Sequence, residues 1–203
     1  MNRLLALIVL IIASTSAHAE APVILVFGDS ISAGYGLPLD QGWVELLKTR
    51  LKAQGYGYQV INASVSGETT AGGLARLPRA LELHHPGIVI IELGGNDGLR
   101  ALPIPQFRDN LTQLIALASA SGAKVLLLGM RMPPNYGPQY TEQFAKVFSD
   151  LGRDKKIPAV PFLLTDIALN QNLLQGDEIH PNADGQPILL NNVWPALQPL
   201  LKK

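Results

Sequence analysis

A three-layer α/β/α fold is expected, a doubly wound parallel sheet of five strands in the order 2-1-3-4-5, and three observations predict it. The runs VILVF (residues 23–27), GIVIIEL (87–93) and KVLLLGM (124–130) are apolar without alternation. Strands of that kind are covered on both faces, the condition of a parallel sheet. Stretches of helical periodicity separate them, the rhythm of repeated strand–helix–strand units. Small polar residues and glycines cluster just past the strand ends, the edge at which open α/β sheets bind ligands. The switch point falls between the first and third strands.

The elements follow in order. VILVF is the first strand. WVELLKTRLKAQG (43–55) places apolar residues at Trp43, Val44, Leu47 and Leu51 and stops at Gly55, as an amphipathic helix does. YQVINAS (58–64) is a weaker second strand. LARLPRALELHH (74–85) is a helix ended by Pro86, whose ring disfavours helical backbone in the residue before it. GIVIIEL is the third strand, and QFRDNLTQLIALASASG (106–122) is the helix behind it, closed by Gly122. KVLLLGM is the fourth, followed by the helix YTEQFAKVFSDLGRD (140–154). AVPF (159–162) belongs at a sheet edge, because Pro161 has no N–H for a ladder. A last helix is expected over 183–201, interrupted at Pro187 and Pro195. No repeat, low-complexity stretch or linker divides the chain, so residues 20–203 should form one domain.

Composition narrows the function. The 203 residues carry 16 basic and 16 acidic side chains. That balance offers no basic stripe for nucleic acid and no acidic tail. The chain has no cysteine. A disulfide scaffold, a thiol nucleophile and a zinc–thiolate centre are therefore excluded. Residues 1–19 read as a secretory signal: a single positive charge in MNR, the apolar run LLALIVLII (4–12), and a small-x-small cleavage site AHA (17–19). The run is far short of the ~20 residues that span a bilayer. With no cysteine after it, lipoprotein anchoring is excluded. Cleavage after Ala19 and no stable membrane anchor are expected.

Four stretches past strand ends carry possible chemistry. In VFGDSISAGYG (26–36), Ser30 is a nucleophile, a phosphate-binding hydroxyl or a helix cap. In NASVSGETTAGG (62–73), Gly67 either exposes its backbone N–H to a ligand or only makes a turn. In ELGGNDG (92–98), the Asn96 amide either faces a developing anion or belongs to an Asn/Asp/Gly turn. In GDEIHPNADG (176–185), Asp177 stands three residues before His180. A carboxylate there can fold back onto the imidazole Nδ1–H, fix the tautomer and leave Nε2 as a base. Of the four histidines, His18 leaves with the signal, and His84 and His85 sit at a helix C-terminus, where a cation suits the dipole. In a 2-1-3 order the loops after the first three strands are neighbours. The chain order Ser…Asp…His then permits a nucleophile, an orienter and a base at one edge.

With these residues the chain resembles the SGNH, or GDSL, hydrolases, a family named for the four residues that stand here as Ser30, Gly67, Asn96 and His180. FGDSISAGYGL, SGETT, LGGNDGLR, RMPPNYG and DEIHPN occur in the family's order across essentially the whole chain after the signal. The set is most similar to a branch of periplasmic bacterial multifunctional esterases with thioesterase, arylesterase and lysophospholipase activity. Glu178 departs from the glycine found after the aspartate in the best-known member. The resemblance implies Ser30 as nucleophile, His180 as base and Asp177 as its orienter. It implies an oxyanion hole built from the Ser30 and Gly67 N–H groups and the Asn96 amide. It further implies a small acyl ester or thioester substrate, no cofactor or metal, a periplasmic location and a monomer. Asp29 reads as structural, since the triad already has its carboxylate. No G-x-S-x-G elbow is present; the serine lies in the first strand–helix turn.

Two segments are candidates for covering an acyl chain: GLRALPIP (98–105), with Leu99, Leu102 and Ile104, and MRMPPNYGP (130–138), with Pro134 and Tyr136. Leu99, Leu102 and Ile104 equally suit packing into the core, and both readings stay open. A flavodoxin-like phosphate or flavin binder is one rival. It lacks G-x-G-x-x-G and G-x-x-x-x-G-K-[ST] in the first turn and leaves Asp177 and His180 without a task. A carbohydrate acetylesterase of the same fold is another, and it predicts a polar crevice. A non-catalytic binding protein of this fold is a third, opposed by the intact set Ser30, Gly67, Asn96, Asp177 and His180.

Overall fold

The computed structural model describes residues 21–203. The proposed signal segment and its cleavage site lie outside the described residues. Five parallel strands make one sheet: β1 (Val23–Gly28), β2 (Gln59–Asn62), β3 (Ile88–Glu92), β4 (Lys124–Leu128) and β5 (Ala159–Val160). Their order is β2-β1-β3-β4-β5, as the sequence predicts. β1 and β3 run side by side over five residue pairs, from Ile24 opposite Ile88 to Gly28 opposite Glu92. All five residues of β3 are buried, and so are all of β1 beyond Val23. That burial on both faces is what the unbroken apolar runs require. β5 stops at Val160, immediately before Pro161.

Helices cover both faces. α2 (Trp43–Ala53) packs with α7 (Gln186–Leu197) in one layer, while α3 (Thr70–His84), α5 (Ile104–Ala120) and α6 (Pro138–Lys155) form the other. α2 buries Trp43, Val44, Leu47 and Leu51, the four positions its periodicity singles out. Phe107 and Phe144 stack with ring centroids 4.7 Å apart, which locks α5 to α6. Two short helices open the loops after β1 and β3: α1 (Ser30–Ala33), the helix that the cap reading of Ser30 implies, and α4 (Gly95–Leu99), which the sequence does not lead one to expect.

Two helix expectations need correction. α3 starts at Thr70, four residues before the expected 74, because the Thr69 side chain accepts from the Gly72 N–H and caps it. The last helix is not broken at Pro187. That proline sits in the first turn of α7, where the missing N–H has no intrahelical partner to lose, and the helix also runs through Pro195 to Leu197. One-turn 3₁₀ segments flank it at Ala183–Gly185 and Gln198–Leu200. Among the described residues no helix is long and apolar enough to cross a membrane.

Candidate active site

The first turn after β1 begins α1, with Asp29 as N-cap and Ser30 as the first helical residue. His180 reaches it from 150 residues away: its Nε2 lies 2.8 Å from Ser30 Oγ. The other ring nitrogen, Nδ1, lies 2.6 Å from Asp177 Oδ2. Asp177 bends its own segment into place, since Oδ1 accepts from the backbone N–H groups of Ile179 and His180, each at 3.0 Å. Burial pushes this carboxyl up, but those two N–H groups and the His180 ring outweigh it and hold the group down at about 2. Asp177 is therefore ionised and accepts only. Nδ1 carries the ring proton, and Nε2 presents its lone pair to the Ser30 hydroxyl.

Further contacts fix this arm. The Gln175 N–H donates to the His180 carbonyl (2.8 Å), and its side-chain amide donates to the carbonyls of Tyr35 (2.7 Å) and Pro181 (3.2 Å). One side chain thus ties the serine loop to the histidine loop. The Tyr35 ring lies 4.7 Å from the imidazole at a tilt of 42°. Glu178, where the family resemblance leads one to expect glycine, adopts a left-handed φ of 58°. An exposed glutamate holds that conformation at a cost of about 1–2 kcal/mol.

The loops after β2 and β3 bring the remaining site candidates. The backbone N–H groups of Ala63 and Val65 donate to the carbonyls of Val26 (2.8 Å) and Gly28 (3.0 Å), which pins the β2 loop along the end of β1. Gly67 follows with φ 79°, a region glycine enters freely. Its carbonyl accepts from Arg100 Nη2 at 3.2 Å. Among the described residues neither the Gly67 N–H nor the Ser30 N–H is spent on a protein acceptor. Asn96, in α4, donates from Nδ2 to Asp29 Oδ2 at 3.2 Å. Buried Asp97 takes the Thr70 N–H (2.8 Å) and hydroxyl (2.5 Å), joining α4 to the start of α3.

Sequence reasoning missed several of these partners. Asp29, read as structural, does cap α1 through Ile31 N at 3.0 Å, but it also touches Asn96. Glu92 ends β3 completely buried. A carboxylate closing an apolar strand is the one signal that pointed to it. Gln175 carried no signal, because its task depends on two loops meeting.

The acyl-chain candidates divide. Leu99 is 38% exposed on α4, and Pro134 is exposed in a 3₁₀ turn. Leu102 is half-buried, and Ile104 and Tyr136 pack partly against the core. The Tyr136 and Tyr140 hydroxyls donate to the carbonyls of Leu99 (2.9 Å) and Leu102 (3.1 Å). The two segments are therefore in contact, with Leu99 and Pro134 outermost. Among the described residues no three Asp, Glu or His side chains cluster as a metal ion would require.

Comparison with known proteins identifies the family. The model of the GDSL-like lipase/acylhydrolase family matches residues 26–188. The chain is 53% identical over 184 residues to esterase TesA of Pseudomonas aeruginosa, covering 91% of this chain and 92% of the relative. It is 39% identical over 187 residues to thioesterase 1/protease 1/lysophospholipase L1 of Escherichia coli K12, covering 92% of this chain and 88% of the relative. A crystal structure of TesA superposes with a TM-score of 0.86 at 53% identity, over 88% of this chain and 99% of that one. The chain belongs to the GDSL-like lipase/acylhydrolase family and is a hydrolase of ester bonds.

Proposed function

We propose that the protein hydrolyses carboxylic esters and thioesters of acyl chains through an acyl-enzyme on Ser30. The observation that carries this reading is the unbroken relay Ser30 Oγ–His180 Nε2 (2.8 Å) and His180 Nδ1–Asp177 Oδ2 (2.6 Å). Ser30 Oγ attacks the acyl carbonyl while His180 removes its proton. Asp177 stabilises the imidazolium that forms, and His180 then protonates the departing alkoxide or thiolate. Water repeats the sequence on the acyl-enzyme and frees Ser30. The negative oxygen of each tetrahedral intermediate rests on the N–H groups of Ser30 and Gly67 and on Asn96 Nδ2. Each such donor is worth roughly 10²–10³ in kcat.

The substrate reading rests on the apolar residues near Asn96 and on the name of one relative. Leu99 and Pro134 are exposed, with half-buried Leu102, Ile104 and Tyr136 beside them in sequence, and together they are the apolar candidates for contact with an acyl chain. The Escherichia coli relative is named a thioesterase and lysophospholipase, and the same substrate classes are proposed here. Residues 1–19 support export to the periplasm, where residues 20–203 would act as a single-domain monomer.

Hydrolysis of p-nitrophenyl esters of graded chain length tests the reading. Wild type is expected to favour medium or long chains over acetate, and Ser30→Ala to lose about 10⁴-fold or more in kcat. Undiminished activity in Ser30→Ala contradicts the nucleophile. A preference for acetate that polar substitutions at Leu99 and Leu102 leave unchanged contradicts the acyl-chain assignment.

A further inference from the structure

Besides Asp97, which joins α4 to α3, the relay leaves two buried carboxyl groups outside it, Asp29 at 2% exposure and Glu92 at 0%. They stand on the two loops that must be held together. Asp29 precedes the nucleophile, and Glu92 ends β3 four residues before Asn96. Each loop sends its acid into the other. Asp29 accepts from Ile31 N through Oδ1 (3.0 Å) and from Asn96 Nδ2 through Oδ2 (3.2 Å). Glu92 Oε2 accepts from Asp29 N (3.3 Å), Ser32 N (3.2 Å) and Ser32 Oγ (2.7 Å). A side chain at Gly28 would sit 2.6 Å from that same oxygen, so only glycine lets Glu92 in.

We propose that Asp29 is the positioning residue of the oxyanion site, fixing which end of the Asn96 carboxamide faces the reacting carbonyl. This rests on the roles proposed above for Ser30 and Asn96. A carboxamide has two ends of similar shape and opposite hydrogen-bonding sense. With the NH₂ end inward, one hydrogen binds Asp29 and the other is free for the oxyanion. With the oxygen end inward, its lone pairs repel that same anion. A carboxylate accepts only, so it selects the first arrangement. Glu92 holds the Asp29 backbone from below, which keeps the carboxylate from swinging away.

The charges around Asp29 suit the task. Burial pushes its carboxyl up to about 6, opposed by the Ile31 N–H of α1, the charge His180 carries when protonated, the Asn96 amide of α4 and contact with Glu92 of β3. The group is thus ionised above neutral pH. It is also best stabilised when His180 becomes a cation, the moment at which the oxyanion forms.

The test compares Ser30→Ala, Asn96→Ala, Asp29→Asn and the double variant Asp29→Asn/Asn96→Ala on p-nitrophenyl butyrate, with melting temperatures alongside. Asparagine caps helices as well as aspartate, so Asp29→Asn keeps the Ile31 contact while adding a donor that competes with Asn96. Its kcat should fall on the order of 10²-fold, close to the loss in Asn96→Ala, with KM changed less than about threefold. The double variant should lie within about threefold of Asn96→Ala alone. If Asp29→Asn does not fold, Asp29→Ser keeps a capping oxygen, lacks the one that reaches Asn96 and should show the same loss. A loss below tenfold, or losses that multiply in the double variant, overturns the proposal. Full activity in Ser30→Ala would instead overturn the active-site reading beneath it.

Discussion

Two aspartates serve the proposed nucleophile, Ser30, and the protein treats them in opposite ways. Asp177 sits in an exposed loop, receives two backbone N–H groups and the His180 ring, and is held at about 2. Asp29 is sealed at the end of β1 beside a second buried acid and is pushed up to about 6. Glu92, completely buried next to it, is raised well above the ordinary glutamate range by its own desolvation and by the Asp29 charge. The exposed acid gains its charge cheaply from local hydrogen bonds. In the buried pair desolvation favours the protonated forms, and two acids persist side by side there because the surrounding structure over-determines the site. The proposed relay is therefore assembled on loops, while the proposed oxyanion side is anchored in the sheet.

The largest expected effect breaks the exposed arm. Asp177→Asn should lower kcat by roughly 10³–10⁴-fold, because an amide beside Nδ1 favours the wrong tautomer of His180. Steady-state kinetics at neutral pH measures this, and a loss below tenfold would show that the hydrogen bond at 2.6 Å does not orient the base.

A smaller effect separates the two acids by pH. Asp177 has a folded pKa below its unfolded value of 3.8, so the stability it contributes is present above about pH 4 and is lost as pH falls toward 2. Asp29 is shifted the other way. Its folded state keeps a proton that the unfolded chain releases, so stability present below about pH 4 is lost as pH rises through 6. Thermal unfolding across pH 2–8 should show Asp177→Asn flattening the acid side. Asp29→Asn should gain on wild type between pH 4 and 7, by up to about 3 kcal/mol. Parallel curves for wild type and Asp29→Asn would contradict the burial argument.

The smallest effect concerns backbone alone. Glu178→Gly relieves a φ of 58° at an exposed position. It should raise stability by up to about 1 kcal/mol after the added freedom of the unfolded chain is counted, or about 2–4 °C in Tm, with kcat unchanged. A lower Tm would mean that the contact from Gln171 to Glu178, at 3.5 Å, outweighs the strain.

The same division governs what could be read from the sequence. Burial on both faces leaves an apolar run, so β1, β3 and β4 and their order were legible. Asp177 and His180 interact across three residues, and local spacing carried that pair. The buried clasp was not legible, because Asp29 and Glu92 are 63 residues apart and meet only through the pairing of Gly28 with Glu92. Gln175 was invisible for the same reason, since its amide bridges to a carbonyl 140 residues away. Pro187 misled because proline breaks a helix interior but suits a first turn, and which of these it occupies depends on where the preceding 3₁₀ segment ends.

The central claim is that one serine, activated across 150 residues by His180, carries the acyl group. Labelling with a fluorophosphonate, followed by intact-mass measurement and peptide mapping, tests it most directly. The account predicts a single adduct on Ser30, loss of esterase activity in step with labelling, and no adduct in Ser30→Ala. An adduct on another residue, or esterase activity that survives full modification of Ser30, would contradict it.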